Sequence, residues 1–251
     1  MAELDKACCS LPAVTTHDYK PKGSYTEIAG LKTYVTGSAS TTRGIIAVYD
    51  IFGEIPQTLQ GADRIAESVG ALVLMPDFFK GKPLPLSLYP ADTDEKKKTA
   101  MSFMATTANI DVNLVKLDEV VKEGKGKGGY ESVKNWGIYG LCWGGKVSIL
   151  ASGADTEFKA SGTAHPGLLE VDDVEKLTVP FCCLLSKEDG TPEVVEDFTK
   201  ALEKSKENYI EKYSSMHHGW MGARASLEDS ENLKDYERGY NQLSSFFAKH
   251  L

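Results

Sequence analysis

The side chain best placed for chemistry in this sequence is a cysteine between glycines. Residues 140–144 read Gly-Leu-Cys-Trp-Gly, follow an apolar run and lead into a helical pattern. This is the Gly-x-Ser-x-Gly pattern of a nucleophile on a sharp strand-to-helix turn, with the sulfur of Cys142 in place of the hydroxyl. The neighbours must be small because the turn is strained, and the helix N-terminus favours a thiolate. The alternative is a buried structural cysteine in a glycine-rich turn.

Two further side chains complete a set for nucleophilic catalysis. Asp189 lies in the loop after the apolar run 179–186, and His218 lies in the loop after a strand predicted at 209–213. A cysteine needs a basic partner to react as a thiolate, and an imidazole needs a carboxylate that fixes its orientation. The order nucleophile, acid, histidine is that of the α/β-hydrolases. Two alternatives stay open: Asp189 is an ordinary turn residue, or His217 is the base.

Buried strands and helices alternate along the chain, and this alternation predicts where those side chains meet. Apolar runs predict strands at 44–49, 71–75, 136–141, 160–164 and 179–186. Helical patterns occupy 58–69, 95–121 with a break near 106–107, 192–207 and 229–249. This order predicts a mainly parallel sheet with helices on both faces, preceded by an antiparallel hairpin at 25–35. The three side chains then converge at the carboxyl edge of the sheet, where such folds bind ligands.

Other residues at the same edge have candidate roles. An acyl oxygen needs preorganised donors, and we expect them to be the backbone amides of Trp143 and Ile51. Asp50 follows the first buried strand and is expected to line the pocket, although it could simply cap the turn. His165 follows the strand at 160–164 and is either a pocket residue or a structural histidine. Trp220, two residues after His218, is expected to form an apolar wall.

The composition excludes several classes of partner. The net charge of −8 argues against nucleic acid and anionic membrane surfaces. No apolar run approaches about 20 residues, so no membrane span is expected. Five cysteines, four of them in two adjacent pairs, suggest a reducing compartment, and we expect a cytoplasmic protein without a secretory signal. Cys8 and Cys9 have no second ligand pair at metal-binding spacing, so no metal is expected.

The chain resembles the dienelactone hydrolase (carboxymethylenebutenolidase) family, and most of all its fungal branch. The motifs that carry the resemblance are Tyr-Asp-Ile-Phe-Gly at 49–53, Pro-Asp-Phe-Phe-Lys-Gly at 76–81, Gly-Leu-Cys-Trp-Gly-Gly at 140–145, Ala-His-Pro at 164–166, Glu-Asp-Gly at 188–190 and His-His-Gly-Trp at 217–220. The resemblance as a whole extends from about residue 25 to the C-terminus. The expected organisation is an irregular arm over 1–24 and one α/β-hydrolase domain over 25–251.

The resemblance also implies an activity. It implies that a Cys-His-Asp triad of Cys142, His218 and Asp189 hydrolyses a small enol-lactone to an open-chain keto acid, through a thioester and without cofactor or metal. Bacterial members carry a glutamate where this chain has Asp50, one methylene shorter. They also hold the substrate carboxylate with arginines, and Arg224 is the candidate here, although a solvated surface arginine is the alternative. We expect a monomer or a homodimer that acts on a small molecule.

Three other functions compete with this interpretation. The first is a hydrolase or thioesterase for another small ester. The second is a non-catalytic protein that uses the same pocket to bind a small ligand or a partner. The third is a thiol redox protein, because the chain has five cysteines. Selective acylation and alkylation of Cys142 would separate the first from the other two.

Overall fold

The sheet that the apolar runs predict is present and has eight strands. A computed structural model describes residues 17–126 and 129–251. The strands are β1 Ser24–Ile28, β2 Leu31–Thr36, β3 Arg43–Val48, β4 Leu72–Pro76, β5 Asn135–Leu141, β6 Phe158–Ala164, β7 Phe181–Leu185 and β8 Tyr209–Lys212. Their spatial order is β1-β2-β4-β3-β5-β6-β7-β8. The β1–β2 and β2–β4 pairs are antiparallel and the other pairs are parallel.

Seven α-helices connect these strands within the described ranges. They are α1 Pro56–Val69, α2 Asp94–Ala105, α3 Ile110–Gly126, α4 Trp143–Leu150, α5 Val171–Glu175, α6 Pro192–Glu203 and α7 Ser230–His250. The predicted break in the long helical segment is confirmed, since α2 ends just before Thr106. The short helix α5 and a 3₁₀ turn at Leu86–Leu88 were not predicted, because so few residues carry no periodic pattern.

The central strand β5 shows how the helices cover both faces of the sheet. Successive side chains of a strand point to opposite faces. Tyr139 meets Phe247 of α7, with 6.4 Å between ring centroids, whereas Gly140 lies directly against the backbone of α4. The strand is almost entirely buried, as a parallel strand covered on both faces must be. The predicted α/β-hydrolase type of fold is therefore confirmed.

The described part of the N-terminal segment is attached to α1. The hydroxyl of Tyr19 and the backbone N–H of Lys22 both donate to the carboxylate of Asp63. Residues 1–16, with Cys8 and Cys9, lie outside the described residues, so the boundary between an arm and the domain stays a prediction. The hairpin that follows has the predicted turn, with Ala29 and Gly30 at φ of 51° and 69°. Within the described ranges no helix is both long enough and apolar enough to cross a membrane.

Candidate active site

Cys142 occupies a strained turn between β5 and α4. Its backbone has φ of 53° and ψ of −111°, a conformation that non-glycine residues seldom adopt. The neighbouring glycines are needed for steric reasons. A Cβ atom on Gly140 would lie 1.8 Å from the carbonyl oxygen of Gly144, and one on Gly144 would lie 2.2 Å from that of Val48. The turn exposes part of the thiol, as a nucleophile requires.

His218 and Asp189 form the predicted pair. The Nδ1 atom of His218 lies 2.7 Å from Oδ1 of Asp189. Asp189 is buried, and its carboxylate also accepts hydrogen bonds from the backbone N–H of Ser186, at 2.6 Å, and from the Ser186 hydroxyl. Because these hydrogen bonds fix the position of the carboxylate, it can hold the imidazole in one orientation. Ser186 was not singled out from the sequence, although it is the residue that follows β7.

The charge state of His218 is set by competing effects. Burial lowers the pKa of the imidazole, but the hydrogen bonds to Asp189 and to Cys142, and the negative charges of both, raise that pKa to about 10. The ring therefore favours the imidazolium form at neutral pH. The structure thus brings the three residues of the predicted triad together.

The two adjacent histidines have different partners. The Nε2 atom of His217 lies 3.0 Å from the backbone carbonyl of Arg224 and holds the loop in shape. His218, in contrast, faces the carboxylate of Asp189 and the thiol. The geometry therefore favours His218 over His217 as the base, as the sequence pattern predicts.

Asp50 lies beneath the site and is almost completely buried. One carboxylate oxygen accepts the backbone N–H of Phe52 at 2.9 Å, and the other accepts that of Ala223 at 2.7 Å. Burial raises the pKa of Asp50 to about 6, against the lowering effect of these amides and of the charges of His218 and Arg224. Asp50 therefore caps its own turn and interacts electrostatically with His218, and the expectation that it lines the pocket stays a prediction.

The two backbone amides expected to bind the oxyanion lie at the N-terminus of α4 and in the turn after β3. Trp143 is the first residue of α4, and the first amides of a helix have no acceptor within the helix. Its indole is buried against the rings of Tyr49 and Phe79, and its Nε1–H donates to the carbonyl of Ala108. Ile51 follows β3 in the turn that Asp50 caps. Their role as oxyanion donors stays a prediction.

Arg224 is next to the triad and is held in place. Its guanidinium lies over the ring of Tyr89, 4.0 Å from the ring centroid, and donates to the backbone carbonyl of His218. Tyr89 is itself about half exposed and packs edge-on against Phe52. In the sequence, Tyr89 belongs to a loop over 78–93 that is rich in proline, lysine and aromatic residues, and that is expected either to wall one side of a pocket or to cross the surface. A cation stacked on an exposed aromatic ring is a suitable contact for an anionic substrate group.

Trp220 does not form the expected wall. The side chain is completely buried and packs on Tyr213, with 4.3 Å between ring centroids. The side-chain amide of Asn232 also donates a hydrogen bond to the backbone carbonyl of Trp220. The expectation of an apolar wall is therefore corrected: Trp220 belongs to the hydrophobic core, because the chain turns inward immediately after His218.

His165 belongs to the site but has an unusual environment. It is completely buried, its ring packs edge-on against the ring of His218 at 5.2 Å between centroids, and its φ is 39°. Burial, and then the charges of His218 and Arg224, lower the pKa of His165 well below its ordinary value, so the ring is neutral. Neither ring nitrogen has a hydrogen-bond partner among the described residues.

No group of three or more metal-ligating side chains is present in the part of the chain that the structure describes. The donors at the carboxyl edge instead pair with one another, as Asp189 does with His218. The arrangement is therefore one of a nucleophile, a base and a carboxylate, which can carry out acyl transfer.

Comparisons with known proteins identify the family to which the chain is similar. The model of the dienelactone hydrolase family matches residues 31–251. Two uncharacterized AIM2 family proteins of Schizosaccharomyces pombe are 34% and 36% identical, and each match covers 96% of this chain and 98% of the relative. A Klebsiella pneumoniae structure proposed to be a dienelactone hydrolase superposes with a TM-score of 0.70 at 22% identity, over 90% of this chain and 98% of the other.

The match to the family model covers most of the chain, and the fungal relatives match it almost from end to end. The sheet and its helices agree with the fold of the Klebsiella pneumoniae structure. The chain belongs to the dienelactone hydrolase family and is a carboxylic ester hydrolase of the ester- or lactone-cleaving type.

Proposed function

We propose that the protein hydrolyses a small enol-lactone or activated ester through a thioester on Cys142. The observation that carries the proposal is the contact chain from Asp189 to His218 to Cys142, which ends at a thiol in a strained turn. Acyl transfer by a thiol needs all three parts: a nucleophile, a base and a group that orients the base.

Acylation begins from an ion pair of the Cys142 thiolate and the His218 imidazolium. The Cys142 thiolate attacks the lactone carbonyl, and the amides of Trp143 and Ile51 bind the oxyanion. When the ring C–O bond breaks, the enolate leaves and the His218 imidazolium donates a proton to it. Asp189 keeps the imidazole oriented throughout. The product remains attached to the sulfur as a thioester of the open-chain acid.

Deacylation needs an activated water. His218 is neutral after acylation and can accept a proton from water, whose oxygen attacks the thioester carbonyl. The C–S bond then breaks and restores the ion pair of the Cys142 thiolate and the His218 imidazolium. A thiolate is a strong nucleophile, but thioester hydrolysis depends on this water. We therefore expect reactive esters and lactones as substrates, and not amides.

The substrate class follows from Arg224 and Tyr89. A guanidinium held over an aromatic ring and tied to the carbonyl of His218 is preorganised next to the base. It can pair with a carboxylate in bidentate geometry, which lysine does less well. We therefore propose that the substrate carries a carboxylate in addition to the reacting carbonyl, as a dienelactone does.

Acylation of one cysteine tests the proposal. After brief incubation with p-nitrophenyl acetate, mass spectrometry should find an acetyl group on Cys142, and iodoacetamide should block the acylation. Cys182 and Cys183 are internal controls, because both are buried and burial raises the pKa of each thiol above its ordinary value. A folded Cys142→Ala variant that keeps more than about a tenth of the esterase rate, a loss below about 1.4 kcal/mol, would contradict the proposal.

A further inference from the structure

The imidazole of His165 is buried without a hydrogen bond to any residue that the structure describes. Its side chain is fully inaccessible, and both ring nitrogens lack a partner among the described residues. Leaving a buried polar group unpaired costs about 1–3 kcal/mol, so such groups are rare unless they serve a purpose. Phenylalanine would fill the same space without this cost. The ring nitrogens therefore need an explanation beyond packing.

The loop that carries His165 contacts the nucleophile. The backbone N–H of Gly167 donates to the carbonyl oxygen of Cys142 at 3.0 Å. A Cβ atom placed on Gly167 would lie 3.6 Å from the Cys142 sulfur. The backbone N–H of His165 is fixed to the carbonyl of Leu184 at 2.8 Å. The loop that begins with His165 therefore contacts, through Gly167, the residue whose sulfur would carry the acyl group.

The ring of His165 also lies near two ionisable groups of the site. Its centroid is 5.2 Å from that of His218. On the side of Asp50, a Cβ atom on Gly222 would be 3.5 Å from Cε1 of His165 and 2.4 Å from Oδ2 of Asp50. A side chain at this position would collide with the carboxylate, so the backbone of Gly222 packs against both groups. A small polar molecule bound to a nitrogen of His165 would be close to His218.

The chemistry of a neutral imidazole suits water. Such a ring has one donor and one acceptor nitrogen, and water needs two to four polar partners to occupy a buried position. His165 cannot serve as a second base, since it is buried next to an imidazolium. It can instead hold a water molecule at a fixed place, which is what a slow hydrolytic step requires.

We infer that His165 is a positioning residue for the hydrolytic water of deacylation. The inference rests on the proposed thioester mechanism. With Cys142 acylated, the water bound to a nitrogen of His165 gives one proton to neutral His218, and its oxygen bonds to the thioester carbon. The C–S bond breaks, Cys142 leaves as a thiolate, and the acid is released. His165 itself neither gains nor loses a proton.

The variant His165→Phe separates the two half-reactions. It keeps an aromatic ring against His218 and removes both nitrogens. Single-turnover release of p-nitrophenol from p-nitrophenyl acetate, with enzyme in excess, measures acylation. Decay of the acetyl-Cys142 mass after rapid removal of the ester measures deacylation. We expect acylation within about twofold of the wild-type rate and deacylation slowed about tenfold or more, the cost of one lost hydrogen bond to a positioned group.

A matched control comes from the other end of the chain. His250→Phe removes a ring nitrogen, Nε2, that also lacks a partner among the described residues, but this histidine packs on Phe246 in α7. Both half-reactions should be unchanged in it. Should His165→Phe fail to fold, His165→Met, also without ring nitrogens, serves for the same measurement.

Three results would overturn the inference in distinguishable ways. Unchanged deacylation in the His165 variant shows that the water is held elsewhere. Equal slowing of both half-reactions shows that His165 only packs against His218. Absence of acetyl-Cys142 in the wild-type protein overturns the thioester mechanism and, with it, the role of His165.

Discussion

Two buried aspartates, Asp50 and Asp63, show how differently this fold treats the same side chain. Both are 2% exposed. Asp63, on α1, accepts hydrogen bonds from the hydroxyls of Tyr19 and Tyr34 and from the backbone N–H of Lys22. Asp50, at the carboxyl edge of the sheet, accepts only two backbone amides, and burial raises its pKa to about 6.

This difference separates a region that stabilises the fold from the region in which we propose that the reaction takes place. Around Asp63 several donors point at one carboxylate and tie the chain before β1 to a helix. Around Asp50 the structure tolerates groups that a purely structural region would avoid: the positive φ of Cys142, the unpaired ring of His165 and a carboxylate that burial partly protonates. Residues that depart from the usual backbone conformations and hydrogen-bonding rules tend to occur at functional sites.

The largest effect expected is on turnover at the carboxyl edge. His218→Ala should lower the esterase rate by about 10²–10⁴-fold, because no other group can accept the proton of the thiol or of water. His217→Ala should lose far less, since it gives up one hydrogen bond to a backbone carbonyl, worth about 1 kcal/mol. Steady-state kinetics on p-nitrophenyl acetate measures both. If the ranking were reversed, His217 would be the base.

The second effect should fall on stability instead. Asp63→Asn removes one acceptor from a buried network of donors, and we expect the free energy of unfolding to fall by about 1–3 kcal/mol. Urea unfolding followed by circular dichroism measures it. The rate of Cys142 alkylation by iodoacetamide should be unchanged at every pH. A shifted alkylation profile would mean that the two regions are coupled.

The third effect concerns substrate charge. Arg224→Ala should lower kcat/KM for a carboxylate-bearing lactone by the equivalent of about 1.5–3 kcal/mol, and barely affect a neutral aryl ester. Arg224→Lys is the matched control, because it keeps the charge without the bidentate geometry. Equal losses on both substrates would mean that the bond to the His218 carbonyl, and not anion binding, is the role of Arg224.

The smallest effect, and the one that sharpens the comparison most, is in pH dependence. Asp50 gains its charge as the pH rises through about 6, and that charge stabilises the nearby imidazolium. Cys142 alkylation by iodoacetamide should therefore show a few-fold inflection near that pH, which Asp50→Asn should lack. An identical profile in the variant would leave Asp50 as a turn cap alone.

The pKa shift of Asp50 also determines how the stability of the folded protein changes with pH. The folded pKa of Asp50 lies above its ordinary value, so its stabilising contribution is present below pH 4 and is lost as the pH rises through about 6. The melting temperature of the wild-type protein should fall more across this interval than that of Asp50→Asn.

Short-range rules predicted much of the site from the sequence. The glycines around Cys142 encode their turn directly, and each triad residue lies in the segment that follows a strand, so a parallel sheet brings the three to one edge. The antiparallel hairpin was equally local, because it depends on the turn at Ala29 and Gly30.

The remaining features depend on contacts between distant segments. Trp220 is in the core because the chain turns inward after His218, which no local pattern encodes. Tyr89 contacts Arg224 from a loop more than a hundred residues away. The ring nitrogens of His165 lack a hydrogen-bond partner among the described residues, and this depends on all the segments that pack around the ring.

One loop, residues 217–224, carries several functions that cannot be adjusted separately. It carries His218, it supplies the Ala223 amide to Asp50, and it carries the Arg224 guanidinium that we propose binds the substrate. An insertion there would displace all three together. Tyr89 belongs to a loop without any triad residue. Directed evolution for new substrates should therefore accumulate changes around Tyr89 and leave the histidine loop at constant length.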